Sequence, residues 1–295
     1  MDRKGVLWSN CTLADRERSC AAPVVWPATR RFRKASMFKH HYLYWQWLRR
    51  DVAGRYRGSI LGLLWPILQP LTQILVFTLV FFEFMQMRWP TVGGTGTAMD
   101  YGLNVFAGLA VFNYFSEVLG RSPIAILSQP NLVTKVRFPL ALLPGVTVGS
   151  ALIHVLVGSV SLLLLAAVFR QLSWAALWLP VFLIPLILYG LALALFLASL
   201  GVYLRDIGQV MPAVTSLLMF LTPIFYPVTA VPDDLKPWFE LNPIGWGAQA
   251  IRSVLLEGAV PSMNALCLHG AVSVGLFLLA RLIFTRLEKG FADVL

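Results

Sequence analysis

The chain has 295 residues, 58% of them hydrophobic and only 13% charged, and its mean hydropathy is +0.71. A soluble globular domain carries about 25% charged residues, so the composition excludes one. The formal charge of +10 does not point to a nucleic-acid partner, because 13 of the 24 Lys and Arg precede Gly58. There they flank the first apolar run, where positive charge orients a membrane protein and attracts anionic lipid.

Residues 1–36 hold eight basic and three acidic residues without a long apolar run, and are expected to be a disordered basic extension. They lack the apolar core and small-residue cleavage site of a secretory signal peptide. Residues 37–57 follow as an amphipathic helix. Phe38, Tyr42, Trp45, Leu48, Val52 and Tyr56 recur at three- or four-residue steps, with Arg49, Arg50, Arg55 and Arg57 elsewhere. Such a helix lies in the membrane interface, with aromatic rings at headgroup depth. It reads equally as an anchor and as a docking surface for a cytosolic partner.

The uncharged run Gly58–Phe82 is roughly 37 Å long as a helix, enough to cross a hydrocarbon core of about 30 Å. Charges punctuate five more runs. The predicted spans are about Ser59–Phe82, Tyr101–Leu119, a stretch within Phe138–Phe169, a stretch within Gln171–Leu204, Gly208–Phe225 and Met263–Ala280. The fourth run is longer than one crossing needs, and is expected to tilt, to kink at Pro180 or Pro185, or to lie partly outside the bilayer. Six spans put both termini on one side. With the N-terminus inside, the inner segments hold 20 Lys and Arg and the outer segments four, so positive charge favours an N-in, C-in topology. The fold class is an all-α integral membrane protein, with a six-span domain over residues 58–290.

Residues 227–262 contain Pro227, Pro232, Pro237, Pro243 and Pro261 among aromatic residues. The pieces are too broken to span and too apolar for a solvated loop. They are expected to form re-entrant helices between spans five and six, covered by protein or lining a cavity.

Catalytic constellations are missing from the sequence. There is no phosphate loop ending in Lys-Ser/Thr, and Gly93–Gly94–Thr95–Gly96 reads as a turn. Cys11, Cys20 and Cys267 have no metal-ligand spacing, so no metal, cofactor or catalytic residue is assigned. Glu117 lies one helical turn before Arg121, and the spacing predicts an i,i+4 pair at the inner interface. His154 and His269 are expected to bond between helices. Arg205–Asp206 forms a charged inner turn, either a local ion pair or a partner contact. Phe225, Tyr226, Trp238 and Trp246 cluster toward the outer side. They form an interfacial belt, or line a path where rings stack on the apolar faces of sugars.

Four segments carry a resemblance: LRRDVAGRYRGSILGLLWPILQPL, SQPNLVTKVRFPL, YLRDIGQVMPAVTSLLMFLTPIFYP and LNPIGWGAQAIRSVLLEG. In this order, over about residues 38–290, the chain resembles the membrane subunits of type-2 ABC exporters. Within these it resembles the polysaccharide branch that exports O-antigen, capsule and teichoic acid. Because the likeness begins just after Met37, that residue is a second candidate start.

The resemblance implies a homodimer paired with two copies of a separate cytosolic ATPase, which would bind ATP and Mg. It also implies a bacterial inner-membrane location and a lipid-linked glycan as cargo, on undecaprenyl diphosphate or another lipid anchor. In that frame the segment holding Ser128, Gln129, Asn131, Lys135 and Arg137 couples to the ATPase. The outer segment gates a channel with its aromatics, and Arg49, Arg50, Arg55 and Arg57 guide the phosphate headgroup. FMQMRWP after the first span resembles the O-antigen permeases slightly more than the others. Three rivals remain open: a permease for a drug, a lipid or teichoic acid; a membrane enzyme acting on lipid-linked sugars; and a secondary carrier driven by Glu117.

Overall fold

The computed structural model describes residues 41–56, 65–90, 96–135, 138–169, 173–260 and 262–295. The expectations for residues 1–36, Met37, Arg57, Arg137, the first residues of the first span and Gly93–Thr95 lie outside them. Among the described residues the chain is helical throughout, with no strand. In order these helices are α1 (His41–Tyr56), α2 (Trp65–Phe77, widening into a π-helical turn at Thr78–Phe84), α3 (Ala98–Arg121) and α4 (Pro130–Thr134). Then come α5 (Leu142–Phe169), α6 (Leu179–Tyr203), α7 (Ile207–Leu221) and α8 (Lys236–Leu241). Last are α9 (Pro243–Arg252, continued as a π-helical turn at Ser253–Glu257), α10 (Met263–Leu287) and α11 (Phe291–Val294).

α3 is the axis of the bundle. It starts at a capping box, in which the Asp100 N–H donates to the Thr97 hydroxyl and the Thr97 N–H donates back to the Asp100 carboxylate. From Asp100 through Phe112 every residue is buried. A helix apolar on all sides must be surrounded, and α2, α5, α6, α7 and α9 all pack on it. α10 instead packs mainly on α6 and leaves Leu268, Val272, Leu276 and Leu279 exposed on another face.

Among the described residues, four helical stretches are long and apolar enough to cross a membrane: Ala98–Ile124, Leu142–Leu165, Trp174–Tyr203 and Met263–Val294. They correspond to the second, third, fourth and sixth predicted spans. The first and fifth appear as the shorter apolar helices Leu71–Phe84 and Ile207–Leu221. The excess length of the fourth run is taken up by a 3-10 turn at Trp174–Trp178, after which Pro180 sits in the first turn of α6 and Pro185 inside it.

The packed face of α1 differs from the predicted apolar stripe. Leu48 is buried and Val52 partly so, but Tyr42 and Trp45 are exposed. The face against the protein is Tyr44, Leu48, Asp51 and Arg55. Periodicity of apolar residues cannot reveal it, because Asp51 and Arg55 share this face with the apolar contacts and bind through ion pairs. Glycine lets the helices meet: a Cβ on Gly149 of α5 would lie 2.1 Å from the Tyr44 hydroxyl and 3.2 Å from Leu48 Cδ1.

Candidate functional site

The C-terminal half of α1 meets the last turn of α3 and the middle of α5 in a cluster of charged and polar side chains. Glu117 lies at its centre, its side chain 13% exposed. One carboxylate oxygen accepts from Nη2 of Arg55, and from Nη1 of Arg121 at 2.9 Å. The other faces Nδ1 of His154 at 2.7 Å. Arg55 also donates to the Ser150 hydroxyl at 3.2 Å and reaches the His154 ring at 3.0 Å. Nη2 of Arg121 donates to Asp51 at 2.6 Å, returning the chain of contacts to α1. Two guanidinium groups face two carboxylates, and with His154 and Ser150 they tie three helices in one clasp.

The expected Glu117–Arg121 pair and the inter-helix bond of His154 are therefore both present. Asp51 and Ser150 were not singled out by sequence. The only local signal was the i,i+4 spacing of Asp51 to Arg55, across which Nη2 and Oδ2 stand 4.0 Å apart. The clasp turns Arg55 toward Glu117. Arg49 and Arg50 are exposed, and the Arg50 guanidinium lies 4.9 Å from the Trp47 ring centre.

Beside the clasp lies a cleft of about 510 Å³ between α1, the start of α5 and the turn after α3. Arg50, Arg121, Ser128 and Gln129 line it. The segment that follows is anchored from below. Leu132 and Val133 pack with Phe284, Phe291 and Leu295, and Phe138 meets the Trp47 ring at 5.5 Å. Asn131 and Lys135 are exposed. Nearer the start of α1, Tyr44 donates to the Gly145 carbonyl at 3.3 Å, and burial pushes its phenol above the usual range.

Around the first half of α3, a second polar feature is wholly buried. Arg252 donates to the carbonyls of Asn104, Pro223 and Ile224, each at 2.9 Å, and lies 4.5 Å from the Trp89 ring centre. It joins α9, α3 and the turn after α7. Sequence reading counted Arg252 only as an outer charge. The four expected gate aromatics divide. Phe225 is buried and stacks on Phe81 at 4.7 Å, and Trp246 is buried against His269 and Phe182. Tyr226 is half-buried and Trp238 is 73% exposed. Among the described residues, no three His, Cys, Asp or Glu side chains are grouped to hold a metal.

Residues 42–256 match the profile of the ABC-2 type transporter family. The chain belongs to that family. The match begins within α1 and ends in the turn that closes α9, so it takes in the clasp, the cleft and Arg252. An O-antigen export system permease protein, RfbA, of Myxococcus xanthus is 30% identical over 249 residues, 83% of this chain and 92% of the relative. A protein of the same name from Klebsiella pneumoniae is 22% identical over 252 residues, again 83% of this chain and 92% of the relative. This ABC-2 chain is thus an integral membrane transport permease and not an enzyme.

Proposed function

We propose that this chain is the membrane subunit of an ABC exporter that moves a lipid-linked polysaccharide, of O-antigen or capsule type, across the bacterial inner membrane. The carrying observation is the 30% identity to an O-antigen export permease over 92% of that protein's length. Two copies of the chain pair with two ATPase subunits, which supply ATP hydrolysis and Mg. The topology is six spans, N-in and C-in. Four long apolar helices, two shorter ones and the charge bias support it. α8 and α9 are re-entrant, a reading supported by their shortness and by the packing of α9 on α3.

In this reading α1 lies at the inner interface, where exposed Tyr42 and Trp45 meet lipid and Arg49 and Arg50 attract the diphosphate headgroup. Exposed Asn131 of α4 and Lys135 at its C-terminal cap take the thrust of the ATPase, and Ser128 and Gln129 line the neighbouring cleft. Exposed Trp238, and the open side of half-buried Tyr226, meet the glycan, while Phe225 and Trp246 hold the surrounding wall. The test is reconstitution with the ATPase encoded beside this gene. A 2:2 complex whose ATP hydrolysis responds to undecaprenyl-diphosphate glycan is the expected result. A complex indifferent to glycan but responsive to another lipid or a drug would move the cargo class, and a chain that binds no ATPase would remove the exporter reading.

A further inference from the structure

The two halves of α1 are held by different physics. Toward the N-terminus, Tyr44 and Leu48 rest on Gly149, and Trp47 rests on Phe138. These are mainly van der Waals contacts, joined by one long hydrogen bond from the Tyr44 hydroxyl to the Gly145 carbonyl, and they resist sliding less than ion pairs do. Toward the C-terminus, Asp51 and Arg55 are fixed by directional ionic bonds to Arg121, Glu117, Ser150 and His154. Ion pairs partly withdrawn from water contribute little net stability, because desolvation offsets attraction, but they specify one arrangement among several. A small apolar contact followed by a charged lock is a hinge with a latch.

We propose that Arg55 is a positioning residue of the transport cycle. Through Glu117 it locks the C-terminal end of α1 to α3 and α5, so that displacement of α1 by the ATPase moves those spans as one body. Glu117 receives both Arg55 and Arg121, and Arg121 returns to Asp51, so removing any one charge leaves another unbalanced. Arg55 donates to partners 62 to 99 residues away in sequence, more than α1 needs merely to lie on a membrane. The proposal rests on the exporter reading for its driving stroke, but the spacing of two helices can be measured without cargo.

The experiment uses the full chain with its ATPase in liposomes, with Cys11, Cys20 and Cys267 replaced and spin labels at Gln46→Cys on α1 and Leu156→Cys on α5. Both label sites are exposed. Label distances are compared without nucleotide and after trapping with ATP and vanadate, and the ratio of glycan-stimulated to basal hydrolysis is recorded in parallel. The expected result is an unchanged distance in the parent and a shifted or broadened one on trapping in Arg55→Gln. The stimulation ratio should fall about five- to tenfold, the size of couplings within one ion-pair network. Arg55→Gln/Glu117→Gln should be no worse than either single change, and Arg55→Lys intermediate.

A parent distance that changes as much as the variant's, or single losses that multiply in the double variant, would overturn the latch. If Arg55→Gln fails to assemble, the same comparison is read from Glu117→Gln and His154→Gln, and parental distances in both overturn it. A parent whose hydrolysis ignores glycan counts against the cargo reading alone, since the distance arm still decides the latch.

Discussion

Trp246 stacks on His269, with ring centres 4.4 Å apart and planes inclined by 17°. The imidazole is fixed on both nitrogens, by the Tyr189 hydroxyl at 3.1 Å and the Glu240 carbonyl at 3.0 Å. The indole thereby joins α9 to α6, α8 and α10. Trp246→Ala should destabilise the purified protein by about 3–5 kcal/mol, the usual cost of a large aromatic removed from a packed site. Trp238→Ala, at an exposed position, should leave the melting temperature within about a degree. Thermal unfolding in detergent separates the two. Equal shifts would mean that Trp246 is not the support its burial indicates.

Arg252 makes a stricter demand on its neighbours. Three carbonyls accept from one guanidinium, those of Pro223 and Ile224 outside any helix, and each buried acceptor left unpaired costs about 1–3 kcal/mol. Arg252→Met keeps much of the volume and none of the donors, so it should lose monodisperse protein on size-exclusion chromatography. Arg252→Lys should fall between, because an ammonium cannot reproduce the planar fork. A Met variant as stable as the parent would show that those carbonyls find other donors.

The contrast between these sites shows what the sequence could reveal. Long apolar runs are legible because hydrocarbon demands them, so α3 and α5 were readable to within a few residues of their ends, while α6 begins at Leu179, well inside its run, and α10 continues past Ala280 to Leu287. Glu117 with Arg121 was readable because i,i+4 spacing makes contact nearly unavoidable on a helix. Arg55 with Ser150 and Arg252 with Asn104 were not, since they meet across 95 and 148 residues by tertiary packing. The face of α1 turned to the protein was not legible for a related reason. A periodicity argument sorts side chains as apolar or polar, while this helix docks through Asp51 and Arg55 as well as Tyr44, Trp47 and Leu48. Trp246 and Phe225 had no sequence signal separating a wall aromatic from a path aromatic.

Tyr44 makes the pH dependence of the α1 contact calculable in sign. Its phenol has an ordinary value of 10.0 and is raised by burial, so the folded state favours the neutral, donating form. Below pH 10 the phenol is protonated whether folded or not and adds no slope. Above it the unfolded chain loses the proton first, and stability falls as pH rises. Tyr44→Phe should cost about 0.5–1.5 kcal/mol near neutrality through the lost bond to Gly145. It should also flatten part of the alkaline fall in a melting series from pH 7 to 11. An unchanged alkaline limb would place that titration elsewhere.

Asn131 in α4 and Lys135 at its C-terminal cap are exposed, while Leu132 and Val133 join the cluster around Phe284 and Phe291. Substitution at the two kinds of position should therefore have opposite signatures. Lys135→Glu changes charge where solvent screens it, so the melting temperature should stay within about a degree of the parent. If this face meets the ATPase, copurification should fall, and fall further at low salt, where charge repulsion is least screened. Leu132→Ala should instead lower stability by about 2–3 kcal/mol, the lower part of the range for a truncated core leucine, as befits a half-buried position. Its weaker copurification should track the loss of folded protein. Pull-down of the ATPase against thermal unfolding for both variants decides the matter. Parental copurification by Lys135→Glu at every salt concentration would move the docking surface away from α4.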